Sequence, residues 1–160
     1  MCIRDRYLGL TFTTKLSLSN ALQETCRKGK KGVIEILRTL QKINSIDPGL
    51  FWKLFDSQIE PLISYSAEIW GLYTNDTELV HTFAMKRFLG VPLHTSNKVL
   101  YGECGRYPLY IKNTVECIKY WLKVISLPNT RLCKQRYDML LIQLEKGKEN
   151  WAYCIKKVFE

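Results

Sequence analysis

The stretch Val33-Ile-Glu-Ile-Leu-Arg-Thr-Leu-Gln-Lys-Ile43 places apolar residues at Val33, Ile36, Leu37, Leu40 and Ile43. Intervals of three and four return to one side of a 3.6-residue helix, so the stripe predicts an amphipathic helix. Upstream, Ser19 or Asn20 can cap a helix that begins with Ala21 and Leu22. Gly29 and Gly32 lie between the two parts. Each costs about 1 kcal/mol in a helix interior, so a bend or break is expected there. Downstream, Asp47-Pro48 is a start signal, with the aspartate as cap and the proline in the first turn. The helix that follows carries Leu50, Phe51, Leu54, Phe55 and Ile59. Pro61 predicts a kink or a split, after which Leu62, Ile63, Tyr65, Ile69 and Trp70 continue the pattern to Gly71.

The same reading extends in both directions. Leu8, Leu10 and Phe12 alternate at period two and predict a strand from Tyr7 to Thr13, with a second short strand near Leu16 to Leu18. Asp76 is a candidate cap for a helix bearing Leu79, Val80, Phe83, Phe88 and Leu89, closed by Gly90-Val-Pro92. A short helix is expected from Ser96 to Glu103. Tyr107-Pro108 opens a longer one through Trp121 to Ile125, which stops by Pro128. Two more run from Thr130 to Leu144 and from Asn150 onward. The fold class is mainly α: a helical array of about six to eight helices with a short N-terminal β-strand or hairpin.

With 160 residues, 46% hydrophobic and 24% charged, the chain has ordinary globular composition. Disordered, collagenous and low-complexity classes are excluded. The longest run free of charge, Phe88 to Asn97, is far short of the ~20 residues a membrane span needs. No secretory signal is legible, and an intracellular location, cytoplasm or nucleus, is expected. The six cysteines, Cys2, Cys26, Cys104, Cys117, Cys133 and Cys154, form no CxxC pair. They read as reduced, mostly buried thiols and not as zinc ligands.

A complete active site is not visible. Two-metal nucleotidyl transfer needs clustered carboxylates, whereas Asp5, Asp47, Asp56, Asp76 and Asp138 stand apart. There is no phosphate-binding glycine loop. His81 and His94 are the only histidines, and each reads as surface or partly packed more readily than as an acid–base group. The residues offer no catalytic constellation, metal site or cofactor motif.

The net charge of +9 points to an anionic partner. Residues 1–53 contribute +6, residues 54–110 contribute −2 and residues 111–160 contribute +5. The densest run is Arg27-Lys-Gly-Lys-Lys-Gly32, extended by Arg38 and Lys42. Lys31, Glu35, Arg38 and Lys42 share one helix face opposite the apolar stripe, suited to lying along phosphates. The plainer alternative is a solvated face with Glu35 pairing Lys31 and Arg38. Trp52, Trp70, Trp121, Trp151 and the nine tyrosines fall mostly on apolar stripes, which favours core packing over base stacking.

Six ordered stretches carry a resemblance. Tyr7-Leu-Gly-Leu10 is followed by the basic helix and then by Ile59-Glu-Pro-Leu-Ile-Ser-Tyr-Ser-Ala-Glu-Ile-Trp-Gly71. Next come Phe83-Ala-Met-Lys-Arg-Phe-Leu-Gly-Val-Pro92, Thr95-Ser-Asn97 and Val99-Leu-Tyr-Gly-Glu-Cys-Gly-Arg-Tyr-Pro-Leu109. Ile118-Lys-Tyr-Trp-Leu-Lys123 closes the series. Over residues 7–126 the chain resembles the segment that follows the catalytic palm in reverse transcriptases of non-LTR (LINE-type) retrotransposons.

That resemblance implies a fragment of an RNA-directed DNA polymerase that lacks the palm catalytic aspartates and is therefore not an enzyme, with no catalytic residue, metal or cofactor of its own. It divides the chain into a non-native leader (1–6), a remnant of a palm β element (7–18), a thumb-like helical segment (19–72) and a post-thumb helical segment packed on it (73–160), all in one compact unit. The palm aspartates and the fingers would lie upstream, and would be partners of this piece in the parent polymerase. The thumb role implies backbone-directed binding of RNA, DNA or an RNA–DNA duplex through Arg27, Lys28, Lys30, Lys31, Arg38 and Lys42. No membrane role is implied. Trp70, Gly71, Leu89 and Gly90 read as packing and capping positions. The alternative is a cellular all-α module that binds a protein partner and has no nucleic-acid role.

Overall fold

The computed structural model describes residues 5–7, 10–12, 19–44, 46–73 and 76–160, with 5–7, 10–12 and 19 as backbone alone. The chain is mainly helical. Two three-residue strands, β1 (Asp5–Tyr7) and β2 (Leu10–Phe12), pair antiparallel with Tyr7 opposite Leu10. The boundary expected at residue 7 therefore falls inside β1. Leu8, Gly9 and the strand expected near Leu16 to Leu18 lie outside the described residues.

The helices are α1 (Ser19–Lys42), α2 (Pro48–Leu54), α3 (Glu60–Ile63), α4 (Ala67–Trp70), α5 (Asp76–Leu89), α6 (Asn97–Cys104), α7 (Leu109–Ile125), α8 (Leu132–Glu145) and α9 (Trp151–Val158). A π-helical turn, Phe55–Ile59, joins α2 to α3, so helical backbone runs from Pro48 to Ile63. Counted that way, eight helical segments stand among the described residues. Asp47 caps α2 as its sequence signal predicts, its carboxylate accepting from the Leu50 amide at 2.6 Å.

At two positions the helical backbone is continuous where a split or break was one of the expected outcomes. Pro61 neither ends nor splits its helix. The π turn just ahead of it, where the Glu60 amide bonds to the Phe55 carbonyl five residues back, absorbs the ring and the missing donor. Likewise α1 continues through Gly29 and Gly32 for 24 residues. A Cβ on Gly29 would stand 2.8 Å from Ile63 Cγ2 and 3.0 Å from Val80 Cγ1. A Cβ on Gly32 would meet the terminal methyl of Ile59. The glycines let α1 approach α3 and α5, a tertiary gain that outweighs their local cost.

This gives an expected result. Gly29→Ala faces two stiff β-branched side chains. Overpacking of about 1–3 kcal/mol, offset by about 1 kcal/mol of helix propensity, should leave a net loss near 1 kcal/mol. Gly32→Ala meets a methyl that can rotate away and should change stability by less than about 0.5 kcal/mol. Urea melts of both variants decide it; equal losses would show that stiffness of the neighbour does not set the cost.

The chain divides into two compact units, drawn differently from the expected segments 19–72 and 73–160. Unit 1 comprises residues 1–65 and 76–109; unit 2 comprises residues 66–75 and 110–160. The core of unit 1 is Val33, Ile36, Leu40, Phe51, Phe55, Ile59, Ile63, Val80, Ala84 and Leu109. Unit 2 buries Ala67, Trp70, Cys117, Val124, Ala152 and Ile155. Several residues expected on apolar stripes are instead exposed: Ile43 just past the end of α1, Leu62, Ile69, Leu79 and Leu89.

Candidate nucleic-acid interface

Helix α1 buries Cys26, Val33, Ile36 and Leu40 on one side. Successive residues turn by 100°, so the opposite side falls to Arg27, Lys31, Arg38 and Lys42, all exposed. At 1.5 Å per residue the four charges span about 22 Å of helix. Arg27, Lys31 and Lys42 have no carboxylate partner among the described residues. Arg38 donates to Glu35 at 2.7 Å, and both side chains are open to water. An exposed pair of this kind is worth only about 0.3–0.5 kcal/mol, so a phosphate can replace the carboxylate. Glu35 does not also pair with Lys31, as the solvated-face alternative expected.

The other two expected site residues are placed differently. Lys28 lies at the edge of the stripe and pairs with Glu24 at 3.1 Å. Lys30 points the other way round the helix. Its ammonium stands 5.8 Å from the centre of the Phe83 ring, and the Arg87 guanidinium stands 5.3 Å from the same ring. The six basic residues therefore split into a stripe of four, one flanking ion pair and one cation packed on an aromatic face.

A second polar cluster in unit 1 was not legible in the sequence. Arg106, in the turn after α6, sends Nη1 to Asp56 Oδ2 at 2.9 Å and Nη2 to Asp56 Oδ1. The same guanidinium lies 3.8 Å from buried Glu60 and 4.6 Å from the Trp52 ring centre. Its Nε–H donates to His81 Nε2 at 3.4 Å. His81 is fully buried, which corrects the expectation of a surface or partly packed residue. With Nε2 accepting from Arg106, Nδ1–H is the ring donor and points at Glu78, 3.1 Å away. Tyr101 donates to the same Glu78 carboxylate at 2.6 Å. Each ring nitrogen is thus engaged by a neighbouring charged group, which is an architectural arrangement. His94 is exposed in the loop after α5.

The remaining motif residues act on the backbone. Trp70 is buried, and a Cβ on Gly71 would stand 2.5 Å from the Ala67 carbonyl and 3.1 Å from Asn113 Cβ. Gly90 adopts φ +67° just past α5, where the Val91 amide bonds back to the Lys86 carbonyl at 3.1 Å. That is a glycine-dependent helix stop. Trp52, Trp121 and Trp151 are half-buried.

The described cysteines are free thiols. Cys26 and Cys117 are buried, Cys104 and Cys154 are half-buried, and Cys133 is exposed, so fewer are buried than expected. Burial, with a smaller contribution from Glu68, pushes the Cys117 thiol up to about 11. Burial also raises Cys26, reinforced by Asp76 and opposed by Lys30. These thiols are therefore poor nucleophiles near neutral pH. Among the described residues no three His, Cys, Asp or Glu side chains gather closely enough to hold a metal ion, and no helix is long and apolar enough to cross a membrane.

No family model matches the chain, and no curated protein or solved structure matches it either.

Proposed function

We propose that the chain is a catalytically incomplete thumb and post-thumb piece of a non-LTR retrotransposon reverse transcriptase, and that its residual activity is backbone-directed binding of a primer–template duplex. The observation that carries this reading is the stripe Arg27, Lys31, Arg38 and Lys42, exposed along one uninterrupted helix opposite its buried face. Phosphates recognised this way fix position without reading bases. The partner is RNA, DNA or an RNA–DNA hybrid, in a cytoplasmic or nuclear setting.

The test is a set of binding titrations with two hybrid duplexes of unrelated sequence at several salt concentrations. Affinities should agree within a few-fold and fall steeply with salt. Strong preference for one sequence, or binding indifferent to salt, would overturn the reading.

A protein-binding module is the second reading, and one observation favours it. Ile111, Val115, Leu122 and Ile125 on α7 are all exposed, at spacings that put them on one helix face. Exposed apolar stripes of this kind mark helix-docking surfaces. Val115→Glu with Leu122→Glu should leave duplex affinity unchanged if the α1 stripe is the functional surface.

A further inference from the structure

Unit 2 holds a cavity of about 320 Å³, formed by α4, α7, α8 and α9. Its walls are predominantly apolar, with Tyr120, Tyr137 and Trp151 supplying aromatic surface and Leu132 and Leu140 aliphatic surface. The rings are held edge to face: Tyr120 lies 5.9 Å from Trp151 and Tyr137 lies 6.3 Å from it, centre to centre. Trp121 fixes Tyr137 by donating to its hydroxyl at 2.8 Å. One cation lines the cavity. Arg136 is exposed at its rim, has no carboxylate partner among the described residues, and its Nη1 lies 3.9 Å from the Met139 sulfur.

The size is at the lower end of small-molecule sites, which suits a ligand of one or two rings. The apolar lining selects the ring chemistry. A nucleobase would have to bury amide and carbonyl edges against walls that offer few hydrogen bonds, a penalty of roughly 1–3 kcal/mol per unmet group. A hydrocarbon or indole ring carries little of that penalty. The unpaired guanidinium then selects the substituent, because a carboxylate can accept from it in a bidentate manner.

We infer that this cavity is a binding site for a small aryl or indolyl carboxylate, with the ring among Tyr120, Tyr137 and Trp151 and the carboxylate on Arg136. This site is independent of the α1 stripe, and duplex binding can fail without affecting it.

The experiment uses the whole chain, with 1-naphthoate and indole-3-acetate as probes, the neutral indole-3-acetamide as control and uridine monophosphate as the rival anion. Binding is followed by calorimetry and by protection of Cys133, whose exposed thiol lines the same cavity, against alkylation. The carboxylates should bind and slow Cys133 alkylation, and the monophosphate should bind at least tenfold more weakly. Arg136→Gln should weaken the carboxylates about two- to fivefold while leaving the amide unchanged, since an exposed charge pair is worth about that much. Leu132→Trp, which fills the cavity from an exposed position, should abolish both. No binding at millimolar probe, equal loss of acid and amide in Arg136→Gln, or tighter binding of the nucleotide would each overturn the assignment.

Discussion

Arg106→Met should be the most destabilising single substitution in unit 1 outside the apolar core. The change keeps much of the side-chain volume and removes the fork. Asp56 then loses the two hydrogen bonds from Arg106, Glu60 loses the cation 3.8 Å away, and His81 Nε2 loses the Arg106 donor. Trp52 also loses the charge over its ring. Removing one partner from a largely buried ionic cluster costs about 3–5 kcal/mol. Asp56 is half open to water and regains solvation, so a loss near 3 kcal/mol is expected, with a melting temperature lower by about 10 °C. Arg106→Lys retains the charge without the planar fork and should recover about half of that. Asp56→Asn, at the exposed end, should cost about 1 kcal/mol. Chemical denaturation of the three variants orders them. A cost for Arg106→Met inside the roughly ±0.5 kcal/mol range of surface changes would show that the cluster does not hold the unit together.

That cluster marks where sequence reasoning stops. Local signals were legible: Asp47 with Pro48 at the start of α2, Gly90 after α5, Asn150 before α9, and the stripe of α1. Each depends on residues within four or five positions. Arg106 lies fifty residues from Asp56, and no spacing rule links them. The glycines of α1 do not break the helix, for a related reason. Their cost is local and their benefit, close approach to Ile63 and Val80, is tertiary. The π turn that lets helical backbone run past Pro61 has no sequence signature of its own, so only a kink or a split is legible there. Within the basic run, adjacency in sequence concealed divergence in space. Lys30 and Lys31 are neighbours, yet a 100° rotation sends one over Phe83 and leaves the other on the open face.

The same divergence makes the binding hypothesis separable into parts. Replacing Arg27, Lys31 and Lys42 together by Gln removes three exposed charges that have no carboxylate partner among the described residues. On B-form duplex each phosphate neutralised contributes about −0.9 to the slope of log affinity against log salt. The triple variant should therefore flatten the slope by about 2 to 3, and affinity at low salt should fall by at least tenfold. Lys28→Gln with Lys30→Gln should flatten it by less than about 1, because Lys28 is engaged with Glu24 and Lys30 with Phe83. Arg38 is left intact in both so that Glu35 keeps its partner. Gln ranks beside Lys and Arg in helix propensity, so α1 should persist, and circular dichroism verifies it. If the two variants flatten the slope equally while folded, binding follows total charge and the stripe has no geometric role. If neither changes it, the duplex lies elsewhere and the exposed apolar face of α7 becomes the better guide to what this chain holds.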